Sequence, residues 1–307
     1  MALAPLLLLG GDAGTAAADA GATVFKGVDV FDGSSLLRGR TVTVVNGKIE
    51  SVGAEAPAPK GAVVIDGAGK TLLPGLIDCH THDWSVDMLR QSLVFGVTTQ
   101  LNMFGHPAFA AAMRDGQRNG LADDRADLYS AGMLVTAPGG HGTQFGIPVP
   151  PLSRPEDADA FVAARLAEGS DYIKIAYEDG RSIGRALPCL SQETVAATIE
   201  AAQARGVLAV VHVMARELAR NAVEAGADGL VHVWMDEPID DALLASMVKV
   251  PRTGRPCFVI PTLNVNQTVT GGPSGKPLVG DPALSPYLSS AAIKGLEATF
   301  PVAASAA

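Results

Sequence analysis

Six histidines punctuate this 307-residue chain: His80, His82, His106, His141, His212 and His232. Neutral imidazole is a ligand for zinc and similar divalent ions. A lone histidine is usually structural, so the placement has to carry the argument. His80 and His82 form His-x-His directly after the apolar run Gly75-Leu76-Ile77-Asp78. Alternate residues of a strand point to one side, so both rings can face one centre. His212 stands in Val210-Val211-His212-Val213 and His232 in Leu230-Val231-His232-Val233, each near the end of an apolar run. Lys174 lies between Ile173 and Ile175 in a run of the same kind. An amine among apolar neighbours is expensive unless it is paired or chemically altered. Two readings of it stay open. It is an inward lysine that caps a core layer or pairs with an acid, or it is a lysine carbamylated by CO₂, whose new carboxylate could bridge two metals. His141 sits in the glycine-rich run Pro138-Gly139-Gly140-His141-Gly142-Thr143-Gln144, where it could bind a substrate carbonyl or carboxylate or be merely solvated. Tyr177, three residues after Lys174, could assist it. His106 has no counterpart in this spacing and reads as structural or supporting.

Two kinds of element must position these residues. From Ala22 to Thr71 the chain reads as a small all-β module: Thr23–Phe25, Val28–Val30, Thr41–Val45, Ile49–Val52 and Ala62–Ile65, with a hairpin signal at Asn46-Gly47. From Leu72 onward strands alternate with helices. Apolar strands are expected at Gly75–Asp78, Gly96–Leu101, Leu128–Val135, Tyr172–Ile175, Val207–Val213, Gly229–Val233 and Cys257–Ile260. Helices are expected at Ala158–Ala167, at Thr194–Arg205 between a Ser191 cap and a Gly206 stop, and at Arg216–Ala225 before Gly226. Alternation of this kind implies βαβ units and a parallel sheet. The expected fold class is therefore α/β: a (β/α)₈ TIM-like barrel apparently lacking strand 8, with a small N-terminal β-sandwich module. The expected boundaries are 1–21 for a disordered or signal-like N-terminus, 22–71 for the module and 72–307 for the barrel. Catalytic groups of a barrel gather at the C-terminal ends of its strands, so four histidines at three strand ends would converge on one mouth.

The stretch Gly69-Lys70-Thr71-Leu72-Leu73-Pro74-Gly75-Leu76-Ile77-Asp78-Cys79-His80-Thr81-His82 resembles the signature of the amidohydrolase superfamily, a Pro-Gly-x-Ile-Asp-x-His-x-His strand end that follows a β-sandwich. The order His-x-His, Lys, His, His is similar to that of its binuclear-metal branch, and the resemblance runs from about Thr23 to Pro301. It implies that His80 and His82 would hold a buried metal, carbamylated Lys174 would bridge, and His212 and His232 would hold a more exposed metal, the pair being two zinc ions. Two such ions ~3.5–4 Å apart activate a shared water. The loop at His141 looks like that of the branch containing Xaa-Pro and Xaa-Arg dipeptidases and imidazolonepropionase-like enzymes. This implies a small amide, cyclic amide or dipeptide as substrate, with His141 and Tyr177 as catalytic candidates. The family also takes an aspartate from its eighth strand, usually within Gly-Thr-Asp, as ligand and general base. After the seventh strand the sequence offers Asp281, in the loop-like run Val279-Gly280-Asp281-Pro282-Ala283. The chain is accordingly expected to be a truncated or atypical member with strongly reduced turnover. Three function classes follow: a metal-dependent hydrolase of C–N bonds, a non-catalytic metal-binding barrel serving in binding or assembly, and a lactone or phosphoester hydrolase.

Composition narrows the partners. With 23 Lys+Arg against 32 Asp+Glu the formal net charge is −9, and no basic run offers phosphate contacts to a nucleic acid. The apolar start Ala2–Leu9 is far below the ~18 residues of a membrane span. It could be the core of a signal peptide, but no Lys or Arg precedes it, so the cytoplasm is favoured over export. Cys79, Cys189 and Cys257 build no disulfide framework. Cys79 reads as a small buried residue, and Trp84 and Trp234 as either pocket lining or packing. A homo-oligomer is compatible with all of this.

Overall fold

A computed structural model describes residues 21–269 and 275–298. The signal-like N-terminal residues 1–20 and the last residues, 299–307, lie outside the described residues. The chain divides into two compact units, one running to Ile77 with Ser92–Thr99 added, the other comprising Asp78–Gln91 and everything from Gln100.

In the first unit β1 (Ala22–Phe31), β2 (Leu36–Val45), β3 (Lys48–Gly53), β4 (Val63–Asp66) and β5 (Thr71–Leu72) build a five-stranded sheet ordered β3-β2-β1-β4, with β5 also on β1. The Asn46-Gly47 hairpin forms as its sequence demands, with both residues at positive φ, 50° and 72°. Thr23–Phe25 and Val28–Val30 are not separate strands. A register shift between Phe25 and Val28, at Gly27 with φ 67°, lets one strand carry both. Phe25, Val28, Val42 and Leu72 make the core of this unit. The described strands here form one sheet, not the two layers of the expected sandwich.

The second pattern is α/β. The strands β6 (Leu76–Thr81), β7 (Val97–Asn102) and β8 (Asp127–Ser130) form a three-stranded sheet in that order. β9 (Ile173–Ala176), β10 (Ala209–His212), β11 (Gly229–Val231) and β12 (Phe258–Ile260) form a four-stranded sheet. Every pairing from β9 to β12 is parallel. Between strands lie α1 (Val86–Val94), α2 (Pro107–Arg118), α3 (Ala158–Ala167), α4 (Gln192–Ala204), α5 (Arg216–Glu224) and α6 (Asp241–Val248). Ser191 caps α4 through Thr194 N–H at 3.2 Å.

The predicted third strand stops early. Gly132 has φ 63° and turns the chain, so Val135 returns only as an isolated bridge to Ile175. Strand alternation divides the core into two layers. Ile173, Ile175, Tyr177, Val211 and Leu230 pack with helix residues Val162, Ile199, Leu218 and Leu243. On the opposite face Tyr172, Val210 and Val231 pack with Met103 and Ala131. Among the described residues no helix is long and apolar enough to cross a membrane.

Candidate metal centre

Five of the six histidines gather at the ends of these strands and in the loop before α3. Ring centroids are 5.2 Å apart for His82 and His80, 4.8 Å for His80 and His232, 4.5 Å for His232 and His212, and 4.3 Å for His212 and His141. His80 and His82 leave the end of β6 on one side, as the period of two requires. His212 ends β10 on the face opposite the helices. His232 reaches the same place by another route. Alternation after Val231 would turn it toward the helix side, but its φ of 69° reverses the chain. The described non-glycine residues at positive φ are Asn46, His232 and Thr262, and two of these three belong to this cluster. Left-handed backbone at a β-branched or bulky residue costs energy and marks places where a side chain is aimed at some expense.

Thr262 explains the orientation of His80. Its Oγ1 lies 3.2 Å from the Ile260 carbonyl and 2.9 Å from His80 Nδ1. The hydroxyl proton goes to the carbonyl, so the hydroxyl oxygen accepts from Nδ1–H of His80. His82 Nδ1–H donates to the Phe104 carbonyl at 3.4 Å. In both rings Nε2 is then the free lone pair, the tautomer that suits a metal ligand. His212 Nε2 and His232 Nδ1 are buried with no hydrogen-bond partner.

Burial keeps the cluster uncharged. Desolvation, with the positive charge of Lys174 nearby, holds His80 down to about 2, His141 to about 4 and His232 to about 3. Desolvation also lowers His82, whose ring keeps an exposed edge, and takes His212 well below the usual imidazole range. Lys174 acts through its charge on all five rings. It is 4% exposed, forms no ion pair among the described residues, and is lowered by desolvation to about 7. The paired-lysine reading thus finds no acid.

The other expected residues fall elsewhere. Tyr177 does not reach the rings. Three residues after Lys174 it faces the helix layer, packed in the core, with its hydroxyl accepting from Asn221 at 3.4 Å. His106 is the N-cap of α2, its Nδ1 accepting from Ala108 N–H at 3.2 Å. Asp281 is spent on a local turn, where it accepts from Ala283 N–H at 2.8 Å. Trp84 packs edge-on to Phe104, and Trp234 against the outer core. Glu178, not foreseen from the sequence, is 1% exposed and has its Oε2 3.6 Å from His212 Nε2. Its distance of four residues from Lys174, an even number along an extended chain, was the available signal.

By chemistry the donor set fits divalent metal: neutral imidazoles with free nitrogens, two of them buried and orphaned, beside an amine able to become a carbamate. By geometry it is not closed. Among the described residues no group of three or more His, Cys, Asp and Glu side chains is set to hold one ion. The His141 and His212 rings stack at 32° rather than converge on a point.

No family model matches the chain. A stretch of 52 residues is 58% identical to imidazolonepropionase of Idiomarina loihiensis, covering 16% of this chain and 13% of that protein. Another of 93 residues is 33% identical to enamidase of Eubacterium barkeri, covering 27% and 24%. Each match thus spans less than a quarter of the relative's length. Among solved structures, a Xaa-Pro dipeptidase with bound methionine in its active site superimposes with a TM-score of 0.65 at 22% identity, over 81% of this chain and 68% of that one. The chain is thus similar over short stretches to imidazolonepropionase and enamidase, and in fold to a Xaa-Pro dipeptidase.

Proposed function

We propose that β6–β12 are seven strands of a (β/α)₈-type barrel, and that the chain is a metal-dependent hydrolase of C–N bonds in a small amide, cyclic amide or dipeptide. The observation that carries this reading is the gathering of five imidazoles at the strand ends and in the loop before α3, all acted on by the charge of Lys174. The names of the matched proteins support the bond class. In this reading His80 and His82 hold one ion through Nε2, and His212 with His232 holds the other. Zinc suits these ligands, and a bound divalent ion supplies Lewis acidity, lowering the pKa of water toward ~7 and polarising a carbonyl. Lys174 would hold both ions as its carbamate: the uncharged amine adds to CO₂, the new N–C bond replacing one C–O π bond, and one proton leaves, so a neutral amine becomes an anion. His141, held neutral, can donate its ring N–H to a substrate carbonyl oxygen.

A second reading, a metal-binding barrel without turnover, is favoured by one observation: Asp281 is committed to a turn. Measuring bound zinc after reconstitution in bicarbonate, with hydrolysis assays on dipeptides, cyclic amides, lactones and phosphoesters, separates the readings. The first expects metal together with C–N cleavage that a chelator abolishes. Two equivalents of zinc without turnover select the second, and cleavage of lactones or phosphoesters alone overturns the bond class.

A further inference from the structure

Glu178 follows β9 and lies beside the last residue of β10. In the parallel register Ala176 is opposite His212, and Glu178 is two residues further on the same side as Lys174. Its carboxylate is 1% exposed. One oxygen accepts the Gly180 N–H at 2.6 Å. The Met214 N–H also acts on the carboxylate, but the other oxygen, Oε2, makes no hydrogen bond of good geometry, and neither does His212 Nε2, which faces it at 3.6 Å. That separation is too long for a hydrogen bond. Two buried polar atoms thus stand opposite each other unsatisfied, an arrangement that costs stability unless something occupies the space between them. The separation suits a shared ion: two donors each ~2.1 Å from a tetrahedral zinc lie ~3.4 Å apart.

We infer that Glu178 is a metal ligand, its Oε2 and His212 Nε2 binding one divalent cation between them. The inference rests on the metal-centre reading above and adds to it an oxygen donor that the ordered His/Lys motif does not contain. A carboxylate also supplies negative charge that the imidazoles cannot.

Zinc and cobalt titrations of the full chain against a competing chromophoric chelator test this, with wild type, Glu178→Gln and Glu178→Asp compared. Wild type is expected to bind two ions. In Glu178→Gln one of them weakens more than ~100-fold, beyond the effect of losing a group that only orients a ligand, while the other is unchanged. At saturating cobalt the visible bands of Glu178→Gln should differ from wild type, because a ligand is gone. Glu178→Asp should recover part of the affinity. If Glu178→Gln does not fold, Glu178→Asp carries the test, with a tenfold or greater loss for one ion expected. Wild-type affinities in the folded variant, or wild-type bands at saturation, overturn this assignment and leave the metal-centre reading standing. A wild-type chain that binds no ion overturns both.

Discussion

An amine that is 4% exposed gives up its hydration, and at Lys174 no carboxylate among the described residues gives anything back. The cost shows in its lowering to about 7 by desolvation. Its folded value lies below its unfolded one of ~10.4, so the unfolded chain binds the proton more tightly at every pH between them, and the native state is penalised at pH 7 and below. Lys174→Met keeps the length and the apolar stem and removes the group responsible. The metal-free protein, melted in a chelator at pH 7, should gain about 1 kcal/mol or more, a rise of ~2–4 °C per kcal/mol for a domain of this size. The same substitution should abolish binding of the bridged ion. A melting temperature that falls would mean that Lys174 already has a partner offsetting its burial.

At the scale of elements, the loop after β9 aims Glu178 and is itself held by Gly180. This glycine has φ 75°, and a β-carbon added to it would lie only 1.6 Å from the Arg185 carbonyl oxygen. Gly180 also donates to Glu178 and accepts from Arg185 N–H at 2.8 Å. Gly180→Ala therefore meets both a left-handed backbone penalty and a backbone clash. It should cost about 2–4 kcal/mol in urea unfolding and loosen the metal ion beside Glu178. A loss below ~0.5 kcal/mol would show that the loop relaxes freely.

Sequence periodicity made much of this scale legible and missed the rest for identifiable reasons. The helix α4 announced itself through its serine cap and glycine stop. His80, His82 and His212 were legible because a period of two is a property of any extended strand. His232 was legible only as a strand-end histidine. What aims it is a positive φ, which no residue type at 232 advertises, and the same reversal ends β11 at Val231 rather than Val233. Strand parity separates Tyr177 from Glu178: three residues from Lys174 the chain faces the helices, and four residues on it faces His212. His106 follows a legible rule: a polar residue before Pro107 at the first helical position is a cap.

For the whole molecule two electrostatic arguments give opposite signs of pH dependence. The formal charge of −9 predicts that mild acid relieves self-repulsion and stabilises the fold. The buried rings predict the reverse. Five histidines have folded values depressed by desolvation, to about 4 for His141, 3 for His232 and 2 for His80, against ~6.5 unfolded. Below pH 6.5 the unfolded chain binds protons that the native chain refuses, so native stability falls as pH falls. His212 and His232, which are buried, each contribute a slope approaching ~1.4 kcal/mol per pH unit, while the half-buried His80 and His141 and the exposed His82 contribute less because solvent screens them. Asp83, raised to about 6 by burial, works the other way, because the native state then binds a proton that the unfolded state has released. Glu178 and Asp127, also raised by desolvation, add to that opposition. Five rings outweigh three carboxyls over the interval from pH 6.5 down to about 5, where the carboxyls in the unfolded chain begin to protonate as well. Charge relief spread over a surface is screened by salt, whereas desolvation of the buried His212 and His232 is not. The metal-free protein should therefore lose several kcal/mol between pH 7 and pH 5, read as a falling urea midpoint, and the loss should persist at high ionic strength. Saturating zinc should raise the midpoint at both pH values without steepening the loss through the rings, since these are already unprotonated in the native state over this interval. A midpoint that rises toward pH 5 at low salt would show that net charge governs the fold and that the rings are solvated.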